Sequence, residues 1–241
     1  MSIIQNNNAS LPAKKLAVSI EGIKNYLGFL SEIGVTGFDC SEKSLRIIQS
    51  WGGKKPFLNE TLEKIITDMG ECRQCSLCNK RTNIVFGAGN PDARLVFVGK
   101  APGSDEDIKG VPFVGEAGRL LTKIIEAIKL SRDQVYICNI VKCRPPGNRN
   151  PSADEIMACL PFFKRQMKAI QPKFICAMGS VAAQTILGTT IPISKLRGTF
   201  YDVMGIRVMP TYHPADLLRN ENKKREVWED MKQLMCEYNE V

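Results

Sequence analysis

The chain has 241 residues, of which 44% are hydrophobic and 24% are charged. This length and balance are typical of one folded domain with an extension, and they exclude a largely disordered chain. The first twenty residues contain no apolar run with a cleavage site of small residues, and no stretch approaches the roughly 18 apolar residues of a transmembrane helix. We therefore expect an intracellular, cytoplasmic protein that makes no use of a membrane.

Charge and cysteine content narrow the class further. The formal net charge is +8, which suits a polyanionic partner, although a basic surface that only keeps the protein soluble explains the charge equally well. In a reducing compartment, nine cysteines favour a metal site or a catalytic site over a set of disulfides, and their odd number agrees with this interpretation.

The first part of the chain predicts an accessory helical segment. Residues 2–12 are polar, and from 14 to 51 apolar residues recur at helical spacing until Gly52 and Gly53 break the pattern. We accordingly divide the chain into an N-terminal helical extension, residues 1–70, and a main domain, residues 71–241.

From residue 94 onward, predicted strands alternate with predicted helices. The predicted strands are 94–98, 134–141 and 174–178, followed by 200–203 and 206–209, which form a hairpin or one bent strand. The predicted helices are 117–129, 152–170, one that ends at 187 and an amphipathic one at the end. This alternation predicts an α/β fold, a three-layer α/β/α sandwich with a central, mostly parallel sheet. Because ligands of such folds bind beyond the carboxyl ends of the strands, we expect the chemistry at residues 99–110, 139–143 and 211–217.

Four cysteines form a candidate metal site. The stretch ECRQCSLC contains Cys72 and Cys75, and Cys143 and Cys159 flank the loop after the second predicted strand. Four thiolates fit an iron–sulfur cluster or a structural zinc, and the spacing does not decide between them.

The remaining cysteines are interpreted differently. Cys78 ranks fifth as a ligand, and Cys40 stays open. Cys138 and Cys176 within strands, and Cys236 in the last helix, are better explained as small buried hydrophobic residues.

Several longer motifs carry a resemblance to a known family. GKAPGSDED, GVPFVGEAG, VYICNIVKCRPPGNRNP and PTYHPADLLR occur in this order between about Cys72 and Trp228. They resemble the motifs of the iron–sulfur uracil-DNA glycosylases, the thermophile-type fourth family of that superfamily. The resemblance implies a monofunctional hydrolase of base excision repair, which flips uracil out of DNA and hydrolyses its N-glycosidic bond to leave free uracil and an abasic site. It also implies a monomer, DNA that contains uracil in single or double strands as its partner, and a structural [4Fe-4S] cluster held by Cys72, Cys75, Cys143 and Cys159.

Three residues are the predicted contacts to the flipped base. Asn139 ends a strand, and its amide can accept from uracil N3–H and donate to O4, whereas cytosine presents the opposite pattern. A turn asparagine is the alternative. His213, the chain's single histidine, corresponds to the family residue that donates to uracil O2, where anionic charge develops. Phe113 can lie flat on the uracil ring, or it can belong to the core.

The loop after the first predicted strand is the second part of the predicted base site. Gly99, Ala101 and Gly103 allow the backbone to approach the base and a phosphate closely. Glu106 corresponds to a family carboxylate that fills the space of a thymine methyl group, and a solvated acid is the alternative. Lys100 replaces the glutamate that this family usually carries, and the backbone N–H at this position remains available to uracil.

A third group of residues is predicted to contact DNA. Leu217 and Leu218 are candidates for an apolar wedge that fills the vacated base stack, with core packing as the alternative. The predicted phosphate contacts are Arg144, Arg149 and Arg219, followed by the basic residues 223–225.

Lys100 also defines the competing hypothesis. A charge reversal beside the base makes a uracil-DNA recognition protein with little or no turnover the alternative to a glycosylase. An electron carrier built around the cluster ranks lower, because it leaves the PFVG and HPADLLR motifs without a purpose.

Overall fold

The computed structural model describes residues 60–240. The predicted helical segment at 14–51 and Cys40 lie outside the described residues, so the division of the chain at residue 70 stays a prediction. Within residues 60–240, no helix is long and apolar enough to cross a membrane.

Six strands form one sheet. They are β1 Ala88–Gly89, β2 Leu95–Gly99, β3 Tyr136–Asn139, β4 Phe174–Met178, β5 Tyr201–Val203 and β6 Ile206–Thr211. Their order across the sheet is β1-β3-β2-β4-β6-β5, in which β3, β2, β4 and β6 are parallel and the two edge strands are antiparallel to their neighbours. The predicted mostly parallel sheet is therefore confirmed.

Helices connect the strands and cover the sheet. They are α1 Leu62–Met69, α2 Ser104–Lys109, α3 Glu116–Ala127, α4 Ala153–Ile170, α5 Ser180–Leu187, α6 Ile193–Leu196, α7 Pro214–Arg219 and α8 Lys223–Glu240. Short 3-10 turns occur at Ser76–Asn79 and Pro146–Asn148.

The sheet carries one apolar core on each face. In β2, Val96 and Val98 face the core that contains α1, α4 and α5. Leu95 and Phe97 face the core beneath α3, α7 and α8. Successive side chains of a strand point to opposite faces, so a strand buried on both faces reads as a continuous apolar run. The predicted three-layer sandwich is confirmed.

Local signals in the sequence set several element ends. Ser152 and Glu155 form the predicted capping box of α4, in which each side chain accepts from the backbone N–H of the other residue. Met204 and Gly205 both have positive φ, as the two-residue turn of a β5–β6 hairpin requires. The predicted hairpin is therefore confirmed.

Some features differ from the sequence predictions. The helices α2, α6 and α7 have six residues or fewer, too short for apolar periodicity to reveal them. Cys138 and Cys176 are buried as predicted, but Cys236 is exposed on α8, where its thiol contacts Glu240. The interpretation of Cys236 as a buried residue is therefore wrong, because it lies on the outer face of the helix.

Candidate active site

A cavity of about 410 Å³ opens at the carboxyl edge of the sheet. In the sheet, β3 and β4 lie on opposite sides of β2. The strand order therefore reverses at β2, and a reversal of this kind leaves a crevice between the loops that follow the strands. Four strand ends supply the wall, which includes Lys100, Gly103, Glu106, Phe113, Asn139, Gly179, Ser180, His213, Asp216 and Arg219. The structure thus brings together the predicted contacts to the base.

Asn139 is the last residue of β3, and its side chain is aimed into this cavity. The residue is 1% exposed, and its Oδ1 has no hydrogen-bond partner among residues 60–240. A buried amide oxygen without a partner is costly unless a ligand completes it. The side chain passes close to Gly99, where an added Cβ would lie 2.6 Å from the ring of Phe113 and still closer to Asn139. Gly99 therefore contributes by leaving room for both side chains.

Phe113 forms one side of the cavity in a constrained backbone conformation. Its φ is +52°, a left-handed value that is rare for a bulky residue. The turn closes against Gly118, where any Cβ would collide with the Phe113 carbonyl. The ring lies 5.6 Å from the imidazole of His213, with 31° between the two planes. The buried ring is therefore fixed next to His213, as a platform for a planar ligand requires.

His213 is the N-cap of α7 and a fixed hydrogen-bond donor. Its Nδ1 accepts from the backbone N–H of Ala215 at 3.1 Å, so in the neutral imidazole Nε2 carries the proton. Burial lowers the pKa of His213 to about 4, and the positive charges of Lys100 and Arg219 act in the same direction against the opposing effect of Asp216. The histidine is therefore neutral at physiological pH.

Glu106 fastens the two loops that frame the cavity. Its carboxylate accepts from the backbone N–H groups of Gly103, Val114 and Gly115 at 3.1, 2.8 and 2.9 Å. The solvated acid considered above is therefore wrong. Because the N–H of Gly103 donates to this carboxylate, it is not available to a phosphate. The prediction that the backbone at Gly103 contacts a phosphate closely is therefore not supported at this N–H.

Lys100 reaches from the cavity wall to the loop between Cys143 and Cys159. Its Nζ donates to Asn150 Oδ1 at 2.9 Å and to the carbonyls of Asn148 and Arg149 at 3.4 Å. Burial lowers the pKa of this ammonium. The Lys100 ammonium thus joins the loop after β2 to the 143–159 loop.

The four predicted ligand cysteines line one small pocket at the sheet's edge. Cys72 and Cys75 are half-buried, whereas Cys143 and Cys159 are buried. Two donors point at the sulfurs: Arg81 Nη1 lies 3.3 Å from Cys143 Sγ, and a backbone N–H lies 3.3 Å from Cys159 Sγ. Cys78 does not line this pocket, and its thiol donates to Asn79.

This donor set fits a four-iron cluster. Within residues 60–240, no group of three or more ligating side chains is placed around a single metal ion. Four cysteine thiolates are the usual ligand set of a [4Fe-4S] cluster. Hydrogen bonds to the ligand sulfurs are a further feature of such sites.

The predicted DNA-contacting residues differ in what surrounds them. Leu217 is 2% exposed and packs in the core, so its prediction as a wedge is wrong: it occupies the inward face of α7. Leu218, the next residue, is 39% exposed and stays a candidate. Arg219 is an exposed residue paired with Asp216.

The two arginines of the 143–159 loop are engaged within that loop. Arg144 Nε donates to Asn148 Oδ1, and Arg149 forms a two-point ion pair with Glu155. Arg149 is half-exposed, so its outer side remains accessible.

Two features of the site were not predicted from the sequence: the glycine that follows β4 and the ion pair of Glu155. Gly179 follows β4 with a φ of +88°, and an added Cβ would lie 3.1 Å from Cβ of His213. Glu155 was recognised as a cap, but its ion pair with Arg149 was not, because that contact depends on how the loop folds. The glycine after a predicted strand was the available signal for the first.

Comparisons with known proteins agree with this site. Residues 86–232 match the uracil DNA glycosylase superfamily. The type-4 uracil-DNA glycosylase of Archaeoglobus fulgidus is 43% identical over 185 residues, which cover 73% of this chain and 92% of that protein. The type-4 enzymes of Sulfurisphaera tokodaii and Thermotoga maritima are 46% and 44% identical over 73% of this chain, and the matches cover 84% and 94% of those proteins. The chain therefore belongs to the uracil-DNA glycosylase superfamily and, within it, to the type-4 family.

Proposed function

We propose that this chain is a DNA-repair glycosylase that removes uracil from DNA as a monofunctional hydrolase. The observation that carries the proposal is the unpartnered, buried amide oxygen of Asn139, which is aimed into a cavity that also contains the Phe113 ring and the His213 donor. The substrate is uracil-containing DNA, in which the base must leave the stack before it can enter such a cavity.

Asn139 and Phe113 recognise the base. The amide accepts from uracil N3–H through Oδ1 and donates to O4. Cytosine would instead place an acceptor opposite the amide oxygen and a donor opposite the amide nitrogen, so the buried amide would lose both hydrogen bonds. The ring of Phe113 covers one face of the flipped base. Glu106, held by three backbone N–H groups, closes the edge where thymine carries its methyl group.

His213 assists bond breakage. As the bond between uracil N1 and sugar C1′ breaks, its electron pair moves to the base, and negative charge develops on uracil O2. The neutral imidazole donates its Nε2–H to this oxygen, and water then forms a bond to C1′ through its oxygen. The proton that this water loses balances the proton that the departing uracil anion takes up, which leaves free uracil and an abasic site. Since Nδ1 is fixed by Ala215, the donor needs no reorientation during the reaction.

The cysteine pocket supplies a structural cofactor site in this proposal. Cys72, Cys75, Cys143 and Cys159 would hold a [4Fe-4S] cluster, which braces the loop between Cys143 and Cys159. Lys100 fastens the same loop from the cavity side. A single bound zinc would leave the solution colourless, whereas a cluster colours it brown.

The recognition protein with little turnover has no support from the relatives, whose names are those of glycosylases. The Lys100 ammonium also donates to three oxygens of the 143–159 loop.

The test is release of uracil from oligonucleotides that contain one uracil, single-stranded or opposite guanine, with alkali to reveal abasic sites. We expect multiple turnovers, and in His213→Ala a loss of kcat of about 10²–10³-fold, the usual cost of one such donor. Asn139→Ala is the matched variant for recognition, and its preference for uracil over cytosine should fall. Tight binding without product in the wild-type protein would contradict the proposal.

A further inference from the structure

Lys142 is a buried lysine between the cysteine pocket and Asn139. It is 1% exposed and directly precedes Cys143. Removing an ammonium from water is unfavourable unless nearby negative charge compensates it. The partners of this side chain therefore indicate what it is for.

The partners of Lys142 within residues 60–240 are all neutral. Its Nζ donates to the carbonyl of Asn139 at 2.8 Å and to Oε1 of Gln166. It also stands 5.8 Å and 6.0 Å from the ring centroids of Phe86 and Phe163. No carboxylate of the described residues forms an ion pair with it, so its charge must be balanced by another kind of group.

The thiolates of the cysteine pocket are the groups that can supply this negative charge. Lys142 lines the same pocket as the four cysteines, and its backbone N–H donates to Cys159 Sγ at 3.3 Å. Burial raises the pKa of the Cys159 thiol, and the positive charge of the Lys142 side chain acts in the opposite direction. Cysteines bind metal as thiolates, and four of them around a cluster give the site a net negative charge.

The other end of Lys142 acts on the base site. A charge-assisted hydrogen bond fixes the carbonyl of Asn139, whose amide is the proposed uracil reader. Gln166 holds the ammonium from the opposite side and is itself anchored, since its Nε2 donates to the Phe86 carbonyl at 3.0 Å and to Tyr136 Oη at 3.3 Å. Such a buried hydrogen-bond network restricts the movement of its members.

We propose that Lys142 is a positioning residue that couples the cysteine site to uracil recognition. Its ammonium is the counter-charge of the ligated thiolates, and the same ammonium keeps the end of β3 in the position that aims Asn139 into the cavity. This inference rests on the proposed function and deepens it, because it makes base selectivity depend on a residue that does not touch the base.

The test compares Lys142→Met with Arg81→Met. Arg81 also donates to a ligand sulfur, that of Cys143 at 3.3 Å, but its other bonds go to the carbonyls of Glu71 and Cys72 and not to Asn139. It is therefore the matched control for loss of a cation at the thiolates. Each protein is measured for iron and sulfide content and for visible absorption.

Binding is measured with three oligonucleotides of one sequence. They contain deoxycytidine, a tetrahydrofuran abasic analogue, or 2′-fluoro-deoxyuridine, whose glycosidic bond resists cleavage because fluorine disfavours positive charge on the sugar. Both variants should contain less iron than the wild-type protein. Lys142→Met alone should lose roughly tenfold to a hundredfold of its preference for uracil over cytosine, with unchanged affinity for the abasic analogue.

Equal uracil preference in Lys142→Met and Arg81→Met would overturn the inference, as would wild-type iron content in Lys142→Met. If Lys142→Met does not fold, Lys142→Arg decides: iron retained with a reduced uracil preference supports the coupling, and wild-type preference overturns it. Uracil release by the wild-type protein is measured in parallel. If the wild-type protein releases no uracil, the proposed function is wrong. If it releases uracil and the variants keep the wild-type preference for uracil, only the proposed role of Lys142 is wrong.

Discussion

Ordinary side chains acquire unusual properties in this cavity because of the backbone that holds them. Asparagine is a common strand-end residue, but burial leaves the Oδ1 of Asn139 without a hydrogen-bond partner among residues 60–240, as its proposed role in reading the base requires. His213 would be half protonated near pH 6.5 in water, but its surroundings keep it neutral. At the residue scale, the chemistry comes from burial and from the neighbours that fix each atom.

The first prediction concerns the titration of His213. Because the chain contains one histidine, ¹⁵N NMR of protein labelled in histidine reads its imidazole without assignment, provided that no histidine tag is present. We expect the Nε2–H tautomer and a pKa of about 4. Protonation needs Nδ1, which would break its bond from Ala215, so uracil release should fall only as the pH drops toward 4. A pKa near 6.5 would contradict the buried, neutral donor.

The sequence motifs correctly identified His213 and Asn139 as residues that line one cavity. They did not distinguish the buried Leu217 from the exposed Leu218. Adjacent residues of a helix lie about 100° apart around its axis, and in a six-residue helix the sequence gives too few turns to tell the buried face from the exposed one.

At the element scale, Glu155 joins three segments that the chain separates. Its carboxylate accepts from Ser152 as the cap of α4, from both terminal nitrogens of Arg149, and from Ser76 Oγ beside Cys75. One buried carboxylate therefore connects both halves of the cysteine site.

The second prediction follows from the pKa of Glu155. The hydrogen bonds of Arg149, above all, lower this pKa to about 2 from an ordinary value of 4.5. A lowered carboxyl pKa stabilises the fold above pH 4.5, and this contribution is lost as the pH falls from 4.5 toward 2. We expect Glu155→Gln to lower the free energy of unfolding at pH 7 by about 1–3 kcal/mol, the usual cost of hydrogen bonds to a charged group.

Urea unfolding of Glu155→Gln at pH 7 and at pH 3 measures this effect. The difference from the wild-type protein should shrink at the lower pH, and the variant should also lose bound iron faster. As a control, Glu237→Gln changes the partly exposed ion pair between Glu237 on α8 and Arg207 on β6, and it should cost little. A pH-independent difference would show that the charge of Glu155 is not what stabilises the loop.

At the scale of the whole molecule, the net charge of +8 is spread over a surface that also presents acidic partners to many of its cations. Affinity for DNA then depends on which basic residues lie beside the cavity. Arg219 is 75% exposed at the cavity rim, and Leu218 precedes it on the same short helix.

The third prediction is a change in salt dependence. Arg219→Ala should weaken binding to DNA of any sequence and reduce the slope of log affinity against log salt by about 1, as expected for the loss of one phosphate contact. Lys232→Ala is the matched control, because Lys232 forms a similar exposed ion pair with Glu229 on α8. Equal slopes for the two variants would place the DNA elsewhere on the surface.

The sequence by itself determined the fold class, the alternation of strands and helices along the chain, and the family. Continuous apolar runs such as those of β2 and β4 can only be buried on both faces, and the long motifs around Asn139 and His213 are specific enough to identify a type-4 glycosylase.

Only the tertiary structure decided which side chains act together. Glu106 and Lys100 line the cavity as predicted, but only the folded chain shows their partners. The Glu106 carboxylate accepts from three backbone N–H groups, and the Lys100 ammonium donates to the 143–159 loop. Lys142 had no signal of its own, because burial of a lysine depends on what packs around it. Local pattern fixes where strands and helices form, whereas contacts between distant segments set the charge, the donors and the unpaired atoms of the site.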